Sequence, residues 1–121
     1  MNKNALTECI ALINTIEQDI ILYEKEGIIC ESFKEIIDEP QKIDFLIDEI
    51  NKYLLPRLYY AREILNKGKT INKNKINYGD YIIKCWPHEA SLGLDLMELL
   101  KLLQGNTRKE SNTDLIKVEK I

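Results

Sequence analysis

The sequence predicts a mainly α protein: a single-domain antiparallel bundle of three longer helices and a short one. Three apolar patterns carry that reading. Leu6, Cys9, Ile13, Ile16, Ile20 and Tyr23 recur at spacings of three and four, which draws one stripe along a helix. Ile43, Ile47, Ile50, Leu54, Leu58, Ala61 and Leu65 repeat that spacing, and Leu92, Leu96, Leu99, Leu100 and Leu103 do so again. Short connections between such stripes favour antiparallel neighbours. With 121 residues and 45% apolar content, the chain is long enough to enclose one core. Ile13, Ile16, Ile20, Ile47, Ile50, Leu54, Leu58, Leu96, Leu99 and Leu103 are its expected members.

The first helix is expected to stop at Gly27, because glycine enters the left-handed conformation at a helix end without steric cost. Ile10, Ile21 and Leu22 broaden its stripe, which predicts contact with more than one neighbour. Ser32 and Glu35 have the spacing of a capping box, and Pro40 lies beyond them. A helix of about two turns is expected there, burying Phe33, Ile36 and Ile37. The next pattern runs from about Gln41 to Asn66 and keeps its register across Pro56. A proline inside a helix removes one amide donor and crowds the preceding turn, so the helix should kink there. Gly68 marks its end. In 69–86, Ile71, Ile76 and Tyr78 partly alternate and "YIIKCW" is rich in β-branched and aromatic residues. An irregular loop or a small hairpin is expected, with a short helix capped by Asp80 as the competing reading. The last helix starts at Pro87 or Ser91 and closes at Gly105. Residues 1–105 form the bundle domain. Residues 106–121 read as a polar, loosely ordered tail, whose Leu115, Ile116, Val118 and Ile121 could dock it back or add a strand.

No apolar run approaches the ~20 residues needed to cross a bilayer, and the first residues lack the pattern of a signal peptide. Three cysteines without an export signal point to reduced thiols and a cytoplasmic location. The abundance of Ile, Lys and Asn suits AT-rich coding and says nothing of activity. Charge is more informative. Residues 1–50 carry twelve acids and four bases, residues 51–79 seven bases and one acid, and 80–121 seven acids and six bases. These give −8, +6 and −1, hence the net −3. Attraction between the first two segments would join molecules or lock the fold internally, and a homo-oligomer is expected.

Two surfaces stand out as partner-binding candidates. Glu35, Asp38, Glu39, Asp44, Asp48 and Glu49 cluster in the acidic third. Predicted on polar helix faces, they are solvated acids first and a docking face for a basic partner second. Tyr53, Leu55, Tyr59 and Tyr60 fall off the main stripe around Arg57, and Tyr and Arg are enriched at interface hot spots. Packing of these tyrosines against 69–86 is the competing explanation.

Phosphate binding is the alternative. Arg57, Arg62, Lys67, Lys69, Lys73 and Lys75 lie in 57–78, where Glu63 is the one acid. Such cations neutralise nucleic-acid or nucleotide phosphates, with Tyr59, Tyr60 or Tyr78 as stacking rings. The plainer reading is a solvated connector. Cys85, followed by Trp86, Pro87 and His88, resembles the layout of a C-x-x-C redox motif with histidine in the second position. A thiol just before a helix N-terminus is activated by the helix dipole, yet no resolving cysteine is present, and a structural Cys85 beside a packed Trp86 is preferred. Cys85 and His88, with Cys30 or Cys9, make a sparse zinc set. No cofactor, metal or catalytic residue is expected.

Together these features describe a small non-catalytic protein that binds another protein, of the inhibitor, immunity-protein or accessory-subunit kind found in bacteria and phage. Nucleic-acid or nucleotide-phosphate binding through 57–78 is second. Thiol or metal chemistry at Cys85 and His88 is a distant third.

Overall fold

The computed structural model describes residues 4–105. Every regular element among them is helical, with no strand among the described residues. The elements are α1 (Ala5–Glu26), α2 (Glu31–Lys34), α3 (Ile43–Glu49), α4 (Leu55–Asn66), α5 (Gly79–Cys85) and α6 (Ser91–Gln104). Short 3-10 turns occupy Pro40–Lys42 and Lys73–Lys75, and a π turn, Ile50–Leu54, joins α3 to α4.

α1 begins where the Asn4 side chain accepts the Thr7 amide at 3.0 Å, the usual way of satisfying a first-turn donor. It ends as expected at Gly27, with φ 70°. Its buried positions include Cys9, Ile13, Ile16 and Ile20, while Ile10 and Ile21 remain 37% and 40% exposed. The stripe is therefore narrower than the sequence suggested. α1 nevertheless packs on both α4 and α6.

Residues 43–66 are helical without a break. Pro56 has no amide to give the Lys52 carbonyl, and the helix meets this by widening. The Leu55 amide donates to Ile50, one residue beyond the α-helical partner, and Pro56 falls in the first turn of α4. A π turn beside a proline keeps the chain helical where a strict α ladder would clash. Ile43, Ile47, Ile50, Leu54, Leu58 and Ala61 consequently stay on one buried face. Tyr23 donates to Asp44 at 3.0 Å, and the Cys9 thiol contacts the Leu58 carbonyl at 3.5 Å. The late part of α1 thus meets the early part of this helix, which makes the pair antiparallel. All ten expected core residues are buried.

Three local expectations are corrected. The capping box at Ser32 is absent: α2 starts two residues earlier, its N-cap is Cys30, and Ser32 contacts the Cys30 sulfur at 3.2 Å. α2 is a four-residue turn, with Phe33 buried and Ile36 and Ile37 half-buried beyond it. Glu35 instead accepts the Ser91 amide at 2.8 Å, capping α6 from fifty-six residues away. That amide bond, ahead of the Ser91 side chain, also lowers the Glu35 pKa. Replacing Glu35 by Ala should speed deuterium exchange at the Ser91 amide relative to the middle of α6. In wild type the protection of the Ser91 amide, measured against its intrinsic exchange rate, should likewise fall once pH drops below the usual glutamate value, because a carboxyl with a lowered folded pKa loses its contribution on protonation. Equal exchange in both proteins would show that the cap is idle.

The second correction concerns 69–86, which holds a helix and no hairpin. Tyr78, Ile82 and Trp86 are four apart and all buried, a helical period that outweighs the β-branched composition. Asp80 lies inside α5, whose N-cap is Tyr78. The third is Cys85, the last residue of α5 and exposed. It neither precedes a helix N-terminus nor packs as a structural thiol, although Trp86 beside it is buried. The expected tail, 106–121, lies outside the described residues.

Candidate functional site

α5 lies against α6, and close approach is allowed by Gly93. A Cβ there would meet Ile82 Cγ2 at 3.3 Å and the Trp86 ring at 3.4 Å. This packing buries Trp86 and leaves a recess between the 36–49 segment and 81–87. The recess has a volume of about 540 Å3 and is lined by Ile36, Ile37, Phe45, Leu46, Tyr81, Trp86 and Pro87, with Asp38, Lys42, Glu49, Lys84 and Cys85 as its polar members. A second recess of about 350 Å3, lined by Ile82, Ile83, Pro87, His88, Gly93, Leu94 and Met97, lies on the other side of α5. Pro87 belongs to both. Phe45 is 68% exposed, Ile83 55% and Leu94 56%. Phe45 stands beside the apolar lining of the first recess, and Ile83 and Leu94 share the second; large apolar side chains grouped with others mark interaction surfaces, whereas isolated ones need no explanation.

The two surfaces expected from the sequence meet at the first recess. Asp38 and Glu49 line it; burial first, then the Glu49 carboxylate, raises the Tyr81 pKa above its usual 10.0. Tyr53 packs against Tyr81 with ring centroids 4.9 Å apart. Most acids of the expected face have partners of their own. Asp38 pairs with Lys42 at 2.9 Å and Asp48 with Lys52 at 3.2 Å. Glu39 accepts from Gln41 at 3.0 Å, and Asp44 accepts from Tyr23. Exposed pairs of this kind contribute little to stability, but they interleave lysines with the carboxylates and dilute the acidic field.

The tyrosines serve the fold. Tyr53 donates to the Asn77 carbonyl at 2.9 Å, and the Tyr60 oxygen accepts the Asn72 amide at 3.0 Å. Tyr59 donates to Glu17 on α1; partial burial first, then that carboxylate, pushes its pKa up to about 12. Arg57 lies over the Tyr53 ring, 3.7 Å from its centroid, and donates to the Tyr53 carbonyl at 2.9 Å. That carbonyl belongs to the π turn, so Arg57 helps satisfy the backbone next to Pro56.

The basic segment is only partly assembled. Arg62 lies over Tyr59 and Lys75 over Tyr60, at 5.1 and 5.4 Å. Lys67 pairs with Glu63 at 3.0 Å, and Lys69 and Lys73 are exposed. Tyr78, expected as a stacking ring, is fully buried and donates to the Leu96 carbonyl at 2.7 Å. It cannot meet a base. Among the described residues no group of three His, Cys, Asp or Glu is placed to hold a metal. Cys9 is buried, Cys30 half-buried and Cys85 exposed.

Sequence reasoning missed Phe45. Its signal was present: it falls between Asp44 and Asp48, on the opposite side of the helix from Ile43, Ile47 and Ile50.

The fold and this surface define a small all-α helical domain with an apolar face beside α5. Beyond that class, no protein-family model, no curated protein and no solved structure matches the chain. No described helix is long and apolar enough to cross a membrane.

Proposed function

We propose that this chain is a non-catalytic interaction protein, of the inhibitor, immunity or accessory-subunit kind, that engages a protein partner at the recess between 36–49 and 81–87. The exposure of Phe45 beside that recess carries the reading. An aromatic ring next to an aromatic-lined depression is the arrangement from which interface hot spots are built. The expected acidic and Tyr/Arg faces contribute at its margin, through Asp38, Glu49 and Tyr53. Arg62, Lys69, Lys73 and Lys75 support the alternative of phosphate binding, but the loss of Tyr78 to the core leaves that reading weaker.

The test is affinity capture on three immobilised proteins: wild type, Phe45→Glu, and a variant with Lys67, Lys69, Lys73 and Lys75 all changed to Gln. Phe45 is mostly exposed, so its replacement should leave the helical circular dichroism unchanged. The expected result is one protein retained by wild type and by the lysine variant, resistant to nuclease and absent from Phe45→Glu. Retention abolished by nuclease or by the lysine changes, with salt-dependent oligonucleotide binding, would transfer the function to the basic segment.

A further inference from the structure

Resting on that reading, we infer that one occupant of the recess is a second copy of this chain, bound about a two-fold axis running along the recess. A two-fold contact must be self-complementary, with projection and depression on the same patch. Phe45 provides the projection and the recess it borders provides the depression. The side formed by 36–49 carries Phe45, Asp38 and Glu49, and the side formed by 81–87 carries Tyr81, Lys84, Trp86 and Pro87. An axis along the recess sets the first side of one copy against the second side of the other. Phe45 then enters the aromatic wall of its partner, twice over.

Charge favours the same occupant. With two acids (Asp38, Glu49) and one base (Lys42), the 36–49 side of the recess has a net charge of −1, and Lys84 gives the 81–87 side +1, so the two-fold sets opposite charges against each other. Two of these are already engaged, Asp38 with Lys42 at 2.9 Å. The exposed Lys84 side chain on α5 has no ion pair or side-chain hydrogen bond among the described residues. The axis brings it to the carboxylates of the facing copy. A strongly basic or acidic partner would find no such match, because the margin has no net sign to attract it.

Cys85 supplies a local reporter, since its exposed thiol lies in the recess. Sedimentation equilibrium from about 1 to 100 μM spans the affinities expected of a modest interface. Wild type should pass from 14.1 kDa towards twice that mass. Over the same range, Cys85 labelling by a maleimide should slow as the dimer fraction rises. Phe45→Ser should remain at the single-chain mass with concentration-independent labelling, and Lys84→Glu should weaken association. Ile21→Ser, which removes an exposed apolar side chain on α1, should dimerise as wild type does.

A wild type that stays at 14.1 kDa overturns the inference. A dimer that persists in Phe45→Ser, or leaves Cys85 equally reactive, overturns it too, because the contact then lies elsewhere. The capture experiment with Phe45→Glu reads a heterologous partner independently. Self-association can therefore fail while the protein-binding reading stands, and the reverse.

Discussion

Leu54→Ala should lower the stability of the fold by about 2–5 kcal/mol, through lost transfer energy and the cavity left behind. Leu54 is fully buried in the π turn that carries the helix past Pro56. Its neighbours in the stripe, Ile50 and Leu58, are equally inaccessible, so little solvent can enter the vacated space. The surrounding backbone is also poorly placed to collapse inward, because Pro56 fixes one dihedral angle of the next turn. A value in the upper half of the range is expected. Urea unfolding followed by circular dichroism measures it, and a loss below about 0.5 kcal/mol, typical of surface positions, would remove Leu54 from the core.

The long-range packing was legible in the sequence because it is periodic. Ile13, Ile50, Leu58 and Leu99 are buried for the reason that suggested them: they recur at helical spacing beside polar neighbours. Gly27 was legible because its left-handed conformation is nearly reserved for glycine. What failed was local chemistry that depends on distant partners. The Ser32–Glu35 spacing suggested a cap within one turn, yet Glu35 caps α6, and no local pattern encodes a neighbour fifty-six residues on. Composition misled at "YIIKCW", where two adjacent isoleucines suggested a strand. Tyr78, Ile82 and Trp86 held the helical period, and tertiary burial decided between them. The candidate site was half legible. Asp38, Glu49 and Tyr53 were singled out by charge and type, but the recess they border is created by α5, an element the sequence reading did not favour.

Alkaline pH should destabilise the protein steeply, and the reason lies in two buried acids. Burial pushes the Cys9 thiol from its usual 9.0 to about 11. Burial also raises the Tyr78 hydroxyl well above its usual 10.0, with a smaller contribution from Cys9. The folded state therefore keeps protons that the unfolded chain releases. The stability these groups contribute is complete below pH 9 and falls as pH rises, from about 9 for Cys9 and from about 10 for Tyr78. One retained proton corresponds to about 1.4 kcal/mol per pH unit, so Tyr78 alone removes roughly 2–3 kcal/mol by pH 12. Tyr78→Phe separates the two effects of this hydroxyl. At neutral pH the variant loses the bond to the Leu96 carbonyl, at a cost of about 1 kcal/mol. Above pH 10 it has no phenol to hold neutral, so its stability declines less steeply. The two stability curves should cross near roughly pH 11, where the proton linkage overtakes the hydrogen bond. Urea midpoints measured from pH 7 to 12 under reductant give both curves. Parallel curves would mean that Tyr78 ionises within the fold as readily as in the unfolded chain. That outcome is incompatible with a hydroxyl sealed between α5 and α6.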